Sequence, residues 1–460
     1  MRGERDQLGG QGFRHGLGCR PDVWRGVICL ALLLSLISSV AGASSQFEIP
    51  TWVELTPLGA PPSKRALHTA VMADAVDRMI VFGGGGEEAT QLNDTWLLEN
   101  STGTTGIPTW TNVFVHGLPG QPPARHSHSA AYSHGEDALM VFGGRTQTPS
   151  YYNDTWVLRN ASKSNGTPEW RLVAPGNAPG VPVGRSLHCG GFDEQSNRMI
   201  VFGGGAFAAG YLNDTWVLTE ADGSGGTPQW IQLIPNGAPG SPPKRGGAVC
   251  QFDSQANRLV LFGGQRDGTT PYNDTWVLEN ATGLGGIPKW IRRGADGATG
   301  SPPRRAYASG AYDRSDDRLI VFGGYAFTPP PYLNDTWVLR NASRGMGVPE
   351  WVLLIPRGSP GSPEGRDSAA SAYNPTADRF FVFGGGVNLL VENDLWMLAD
   401  ASPTISELSS ASGQLLVAAV GATILLRACS TRTCISPPGR SHLAAKPRVR
   451  ESVPATSSLQ

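Results

Sequence analysis

The apolar positions of this chain fall in short runs that recur along its length. Met79–Phe82 is wholly apolar and ends in a glycine pair. The second glycine of that pair returns at Gly84, Gly144, Gly204, Gly264, Gly324 and Gly385. Beyond each pair stands Asn-Asp-Thr-Trp (Asn-Asp-Leu-Trp in the last copy), with tryptophans at 96, 156, 216, 276, 337 and 396. Their successive spacings are 60, 60, 60, 61 and 59. A second series, Trp52, Trp110, Trp170, Trp230, Trp290 and Trp351, keeps the same period, and an arginine after a Pro-rich loop does so too. A period of this length signals repeated supersecondary units.

Each unit reads as four short strands. In the first, Ala66–Ala73 is rich in small residues and fits a crowded centre. Arg78–Phe82 is a continuous apolar run, expected to be buried on both faces. Thr95–Leu98 and Trp110–Val115 follow, separated by Pro, Gly, Asn and Asp in the turns. The ends are complementary. Thr51–Leu55 matches the fourth strand of a unit, whereas Asn393–Leu398 matches the third, so pairing the two would close the array and hide an open edge.

Composition agrees with many tight turns between strands: 60 Gly and 36 Pro, but also 13 Trp, which argue against disorder. The 37 basic and 38 acidic residues balance, so nothing predicts the basic stripe of a nucleic-acid binder. Of the six cysteines, Cys19 and Cys29 lie in the leader and Cys429 and Cys434 in the tail. Cys189 and Cys250 stand isolated in the repeats, and no disulfide framework is expected.

An apolar run ending in Gly-Gly, a Trp farther on and an Arg-x-x-His ahead together resemble the kelch repeat. The resemblance covers about Thr51 to Asp400, in six copies. It implies an all-β fold, a six-bladed propeller with four strands per blade, closed by the N-terminal strand in the last blade. By fold it also relates the chain to the galactose oxidase-like superfamily, whose copper site joins Tyr, His and Cys. Only His116, His126 and His134 accompany the aligned histidines here, and no matching constellation is recognised. No cofactor is expected.

Candidate ligand contacts lie in the loops between second and third strands, which vary while the frame stays constant. Tyr151, Phe207, Tyr325 and Phe327 are the aromatic candidates. Tyr152, Tyr211, Tyr272 and Tyr332, just before Asn-Asp, are expected to pack into their blades. The six arginines, Arg65, Arg125, Arg185, Arg245, Arg305 and Arg366, would form a ring at one mouth of the channel. There they would either hold an anion such as a carboxylate or bind carbonyls of their own loops. His68, His128 and His188 share one repeat position. Three imidazoles at one level suit a metal, and the alternative is that they brace the blades. Asn100, Asn160, Asn280 and Asn341 are sequons in links on the opposite face and are candidates for glycosylation.

Residues 1–43 read as a secretory signal, with Arg2, Arg5, Arg14, Arg20 and Arg25 ahead of apolar Val27–Val40 and then Ala41-Gly42-Ala43. An uncleaved signal anchor is the rival. Residues 44–400 hold the propeller. Residues 401–460 form a Ser/Ala-rich tail with an apolar segment, Leu415–Leu426, and a basic end. That segment is short for a bilayer core of ~30 Å, so membrane contact is expected only through the leader or as a marginal anchor. The expectation is a secreted or surface-held propeller, periplasmic in a bacterium, that binds a protein or glycan through its aromatic loops. The alternative is an extracellular enzyme, an oxidase or a sugar-acid mutarotase.

Overall fold

The computed structural model describes residues 50–401, apart from 147–149, 344–346 and 389. The leader, the tail and four of the cysteines lie outside the described residues. Among the described residues no helix is long and apolar enough to cross a membrane.

The described chain is a propeller of six antiparallel sheets, five of four strands and one in which the two-residue strand Arg65–Ala66 makes a fifth. The inner strands are Thr69–Ala73, Ser129–Ser133, Cys189–Asp193, Val249–Asp253, Ser309–Asp313 and Ala370–Asn374, and they define blades 1 to 6 in that order. Each second strand is the apolar run, and Ile80, Met140, Ile200, Val260, Ile320 and Phe381 are all buried between neighbouring sheets. In blades 1, 3, 5 and 6 the second and third strands continue past the glycine pair through a register shift. In blades 2 and 4 they stop at the flanking Phe and Thr.

Thr51–Leu55 pairs with Leu390–Ala399, in the register Trp52 to Leu398, and supplies the outer strand of blade 6. Ring closure thus joins the first and last elements of the propeller.

The two tryptophan series have different physical causes. The outer-strand tryptophans staple each blade to the one before. Trp170 packs on Phe82 at 4.9 Å, Trp230 on Phe142 at 4.7 Å, Trp290 on Phe202 at 4.9 Å and Trp351 on Phe262 at 4.6 Å. Trp52 does the same on Phe322 at 4.8 Å, and Trp110 on Phe383 at 5.1 Å. Such pairs add roughly 0.5–1.5 kcal/mol beyond the area they bury.

The third-strand tryptophans serve an ion pair instead. Trp96 donates its indole N–H to Asp94 at 2.7 Å, and Asp94 accepts both terminal nitrogens of Arg65 at 2.8 Å. The preceding Asn93 donates to the Pro122 carbonyl at 2.9 Å, and so holds the link into the next blade. All six repeats carry this set, with Asn393 reaching back to Pro62 across the closure.

A hydrogen-bonded girdle encircles the channel just before the inner strands. The Ser127 N–H donates to Leu67 O at 2.8 Å, Leu187 to Ser127 at 2.9 Å and Gly247 to Leu187 at 2.9 Å. Tyr307 donates to Gly247 at 2.8 Å, Ser368 to Tyr307 at 2.8 Å, and Leu67 to Ser368 at 2.8 Å closes the loop. All six residues have left-handed backbone, with φ from 55° to 65°. Five of them are not glycine, so the fold accepts ~1–2 kcal/mol of strain at each to join every blade to the next.

Cys189 and Cys250 correct the sequence reading. They form a disulfide between the inner strands of blades 3 and 4, with Cα atoms 5.4 Å apart. In a propeller, residues about one repeat apart face each other across a seam. Their separation of 61 residues therefore brings together two cysteines that look isolated along the chain.

Candidate functional site

The six repeat arginines do not stand as cations open at the channel mouth. Each is almost fully buried, and each guanidinium is engaged within its own blade. Arg185 is representative. Its Nε donates to Val183 O at 3.2 Å and its Nη1 to Gly203 O at 2.9 Å. Its two terminal nitrogens grip Asp214 at 2.8 and 2.9 Å. The same pairs join Arg125 to Asp154, Arg245 to Asp274, Arg305 to Asp335 and Arg366 to Asp394. Burial opposes the charge on Asp335, but the hydrogen bonds and charge of Arg305 outweigh it and hold the carboxyl below its ordinary range. Of the two roles expected for these arginines, the geometry is that of a brace that joins loop, glycine pair and third strand.

The aligned histidines lie in the channel wall. The channel, lined by the inner strands, encloses ≈ 660 Å³. His68, His128 and His188 present their rings edge-on to Phe383, Phe82 and Phe142 of the preceding blade, at 5.4, 5.2 and 5.1 Å. The Nε2 of His128 meets Thr69 Oγ1 at 2.9 Å, and that of His188 meets Ser129 Oγ at 2.8 Å. His68 faces the matching position of blade 6, which is Ala370, and gains no hydroxyl partner. Burial, reinforced by the neighbouring arginine, lowers all three pKa values, that of His188 to about 3, so the imidazoles are neutral. Among the described residues, no three His, Cys, Asp or Glu side chains converge as a metal site would require.

The loop face is built differently. Phe207, at the tip of the blade 3 loop, is 72% exposed, and its ring lies 6.3 Å from that of Tyr151. On the other side of the mouth Tyr325 meets Phe327 edge-on at 4.7 Å and Tyr332 at 5.2 Å. Tyr152 and Tyr272 lie under the guanidinium groups of Arg125 and Arg245, at 4.3 and 4.2 Å. Tyr211 leaves its own blade. It joins Tyr307 at the amide of Gln265, with hydroxyls 2.6 and 2.5 Å from Nε2. Gly246 and Gly247 make room for them: a Cβ at either would come within 2.7 Å of the Tyr211 or Tyr307 ring.

One register position on this face escaped the sequence reading. The residue after each glycine pair bridges the residue after each repeat arginine. The six pairs are Gly85 with Ala66, Arg145 with His126, Gly205 with Ser186, Gln265 with Gly246, Tyr325 with Ala306 and Gly386 with Asp367. Three of the six are served by glycine after the pair, so the frame does not demand a side chain there. Arg145, Gln265 and Tyr325 are additions to it. Aligning the repeats by their glycine pairs would have exposed the contrast. Burial also pushes the Asp367 carboxyl at this rim up to about 6.

The sequon asparagines of the opposite face have a task of their own. Asn160, Asn280 and Asn341 adopt left-handed backbone and donate to the carbonyl seven residues on, at 3.1, 3.2 and 3.2 Å, and Asn100 does so at 3.5 Å.

Comparison with known proteins agrees with this frame. A model of the KLHDC2/KLHL20/DRC7 kelch-repeats domain matches residues 45–179. An F-box/kelch-repeat protein of Arabidopsis thaliana is 27% identical over 57% of this chain and 55% of its own length. Both matches support the kelch-repeat family for this chain. Adagio-like protein 2 of Oryza sativa subsp. japonica is 29% identical over 70% of this chain and 49% of its own length. The chain thus spans about half the length of these relatives. The solved structure of YjhT aligns with a TM-score of 0.51 at 16% identity, covering 74% of this chain and 95% of that one, and shows likeness of fold alone.

Proposed function

We propose that this kelch propeller is a binding module, secreted or held at a cell surface, whose partner docks on the loop face. Kelch propellers generally bind proteins, and a protein is the partner this reading favours, with a glycan as the rival ligand. The observation that carries it is the division between frame and face. The repeat arginines are buried and, with the buried or half-buried aspartates, asparagines and third-strand tryptophans, bonded within the frame, while exposed Phe207 and half-buried Tyr151, Tyr325 and Phe327 gather on loops that differ from blade to blade. Exposed aromatics on a rigid scaffold are the usual anchors of an interface.

Two observations support export. One is the basic and then apolar leader ending in Ala41-Gly42-Ala43. The other is the Cys189–Cys250 bond, since disulfides persist mainly in oxidising compartments.

The test compares partner recovery by the wild-type chain and by the triple variant Phe207→Ala, Tyr325→Ala, Phe327→Ala. Recovery should fall at least tenfold with the melting temperature unchanged. A control pair on the opposite face, Ile287→Ala with Val348→Ala, should leave recovery intact. Recovery retained by the triple variant and lost by the control pair would place the interface on the wrong face.

A further inference from the structure

We infer that Asn165, in the sequon Asn165-Gly166-Thr167 at the tip of the blade 2 link, carries the N-linked glycan of the folded, exported chain. The inference rests on the export reading above and names a modification that export brings.

The described sequons fall into three structural groups. In the Asn-Asp-Thr motifs, Asn93, Asn153, Asn213, Asn273 and Asn334 donate Nδ2 to a proline carbonyl at 2.8–2.9 Å. That bond holds the link into the next blade, and four of these five asparagines are buried. Asn100, Asn160, Asn280 and Asn341 fold back beneath their own links. A Cβ at Gly106, Gly166, Gly286 or Gly347 would come within 3.0, 3.0, 2.7 and 2.8 Å of the Nδ2 concerned, so glycine stands there to let the amide in. A sugar on a nitrogen of either group would have to displace packed backbone.

Asn165 is the third kind. It is exposed, and its side chain makes no hydrogen bond to a described residue. The Thr167 carbonyl receives Asn160 at 3.1 Å, which fixes the backbone behind the sequon while the Asn165 and Thr167 side chains stay in solvent. The frame does not call for this pair. The same two link positions hold Thr105 and Ile107 in blade 1, Gly225 and Thr227 in blade 3, and Gly285 and Ile287 in blade 4. Thr105 is tied to Asp77 and Asn100, and glycine serves blades 3 and 4, so Asn165 is an addition to blade 2.

The modification is a group transfer. Nδ2 of Asn165 attacks the anomeric carbon of an oligosaccharide carried on a lipid pyrophosphate. The C–N bond forms as the C–O bond to the pyrophosphate breaks. The lipid pyrophosphate leaves, and the amide nitrogen gives up one proton. The Thr hydroxyl completes the acceptor sequence, and the bulky hydrophilic product has to stand in water. Transfer takes place on the entering chain, so the fold then decides which occupied sites it can keep. The blade 2 link tip keeps its glycan, on the face opposite the aromatic loops, and leaves those loops open.

The experiment secretes the full chain from cultured insect cells, once with its own leader and once behind an added cleavable leader. Peptide N-glycosidase in heavy-oxygen water converts a glycosylated Asn to labelled Asp, which is located by mass in tryptic peptides. Cleavage after Lys163 separates Asn165 from Asn160. A parallel digest without the enzyme subtracts spontaneous deamidation at Asn165-Gly166. Label should appear at position 165 in most molecules and be absent from the packed asparagines. Asn165→Gln and Thr167→Ala should each remove one glycan from the intact mass and still be secreted, and Thr167→Ser should keep it. Label at other sequons with none at 165 overturns the inference and leaves export standing. Equal label at the packed asparagines also overturns it, because selection by the fold would be absent. If the chain with its own leader stays in the cell unlabelled, the export reading fails. The chain behind the added leader then decides: label at 165 upholds the site, and its absence overturns it.

Discussion

At the scale of residues, the repeat positions do distinct jobs that their shared period conceals. The clearest case is the trio of imidazoles. Thr69 and Ser129 each meet the Nε2 of the histidine of the following blade, whereas His68, opposite Ala370, has no hydroxyl at either ring nitrogen. Ala370→Ser should therefore stabilise the fold by about 0.5–1.5 kcal/mol, the net value of a hydrogen bond supplied to a buried polar group. A rise in the denaturation midpoint checks this, and no rise would mean that His68 is already served from elsewhere. Acid should act through the same residues. All three have pKa values below the unfolded value of 6.5, so the unfolded chain binds more protons as pH falls. Their stability contribution is intact above pH 6.5 and declines below it, continuing toward the His188 value of about 3. The depressed carboxyls of Asp335 and Asp394 add a second loss below their unfolded range of roughly pH 4. Melting temperature measured against pH should start to fall near pH 6.5. A flat profile down to pH 5 would contradict the burial of neutral imidazoles.

At the scale of elements, the seams between blades carry the fold. The Cys189–Cys250 bond ties one seam at the channel wall. Replacing both cysteines by serine should cost about 2–4 kcal/mol, the usual value of a native disulfide, and should leave the other seams to their stacked Trp and Phe rings. Proteolysis of the double variant should then begin at blades 3 and 4. First cuts elsewhere would show that this seam is not the weak point. The elements were largely legible in the sequence because a repeated frame prints the same side chains six times. The Gly pairs, the Asn-Asp-Thr-Trp motifs and the unpaired Thr51–Leu55 sufficed to count blades and close the ring. Three things were not legible. The strands run past the glycine pairs in blades 1, 3, 5 and 6, because a register shift lets the loop flanks continue to pair. The arginines were expected to hold either an anion or carbonyls of their own loops, and what escaped was their aspartate partners, which lie about 29 residues away within the Asn-Asp-Thr-Trp motif. The disulfide and Arg145 were missed because both depend on comparing one register position across blades, which a reading along the chain does not do.

At the scale of the whole molecule, a ring shut by its own N-terminal strand separates stability from recognition. Trp52 is the element's anchor, packed on Phe322 and Phe380. Trp52→Ala should cost about 3–5 kcal/mol, as for other large buried aromatics, without touching the loop face. That separation lets Phe207, Tyr151, Arg145 and the Tyr325 cluster vary at little cost to the frame. The opposite face offers a direct contrast, since Ile287 and Val348 are 87% and 84% exposed in the links between third and fourth strands. The most direct measurement places a photo-crosslinking phenylalanine analogue at Phe207 in one sample and at Ile287 in another, in the protein's own host. Covalent partner adducts from position 207, with none from position 287, are what the account predicts. Adducts from position 287 alone would move the interface to the other face and contradict it.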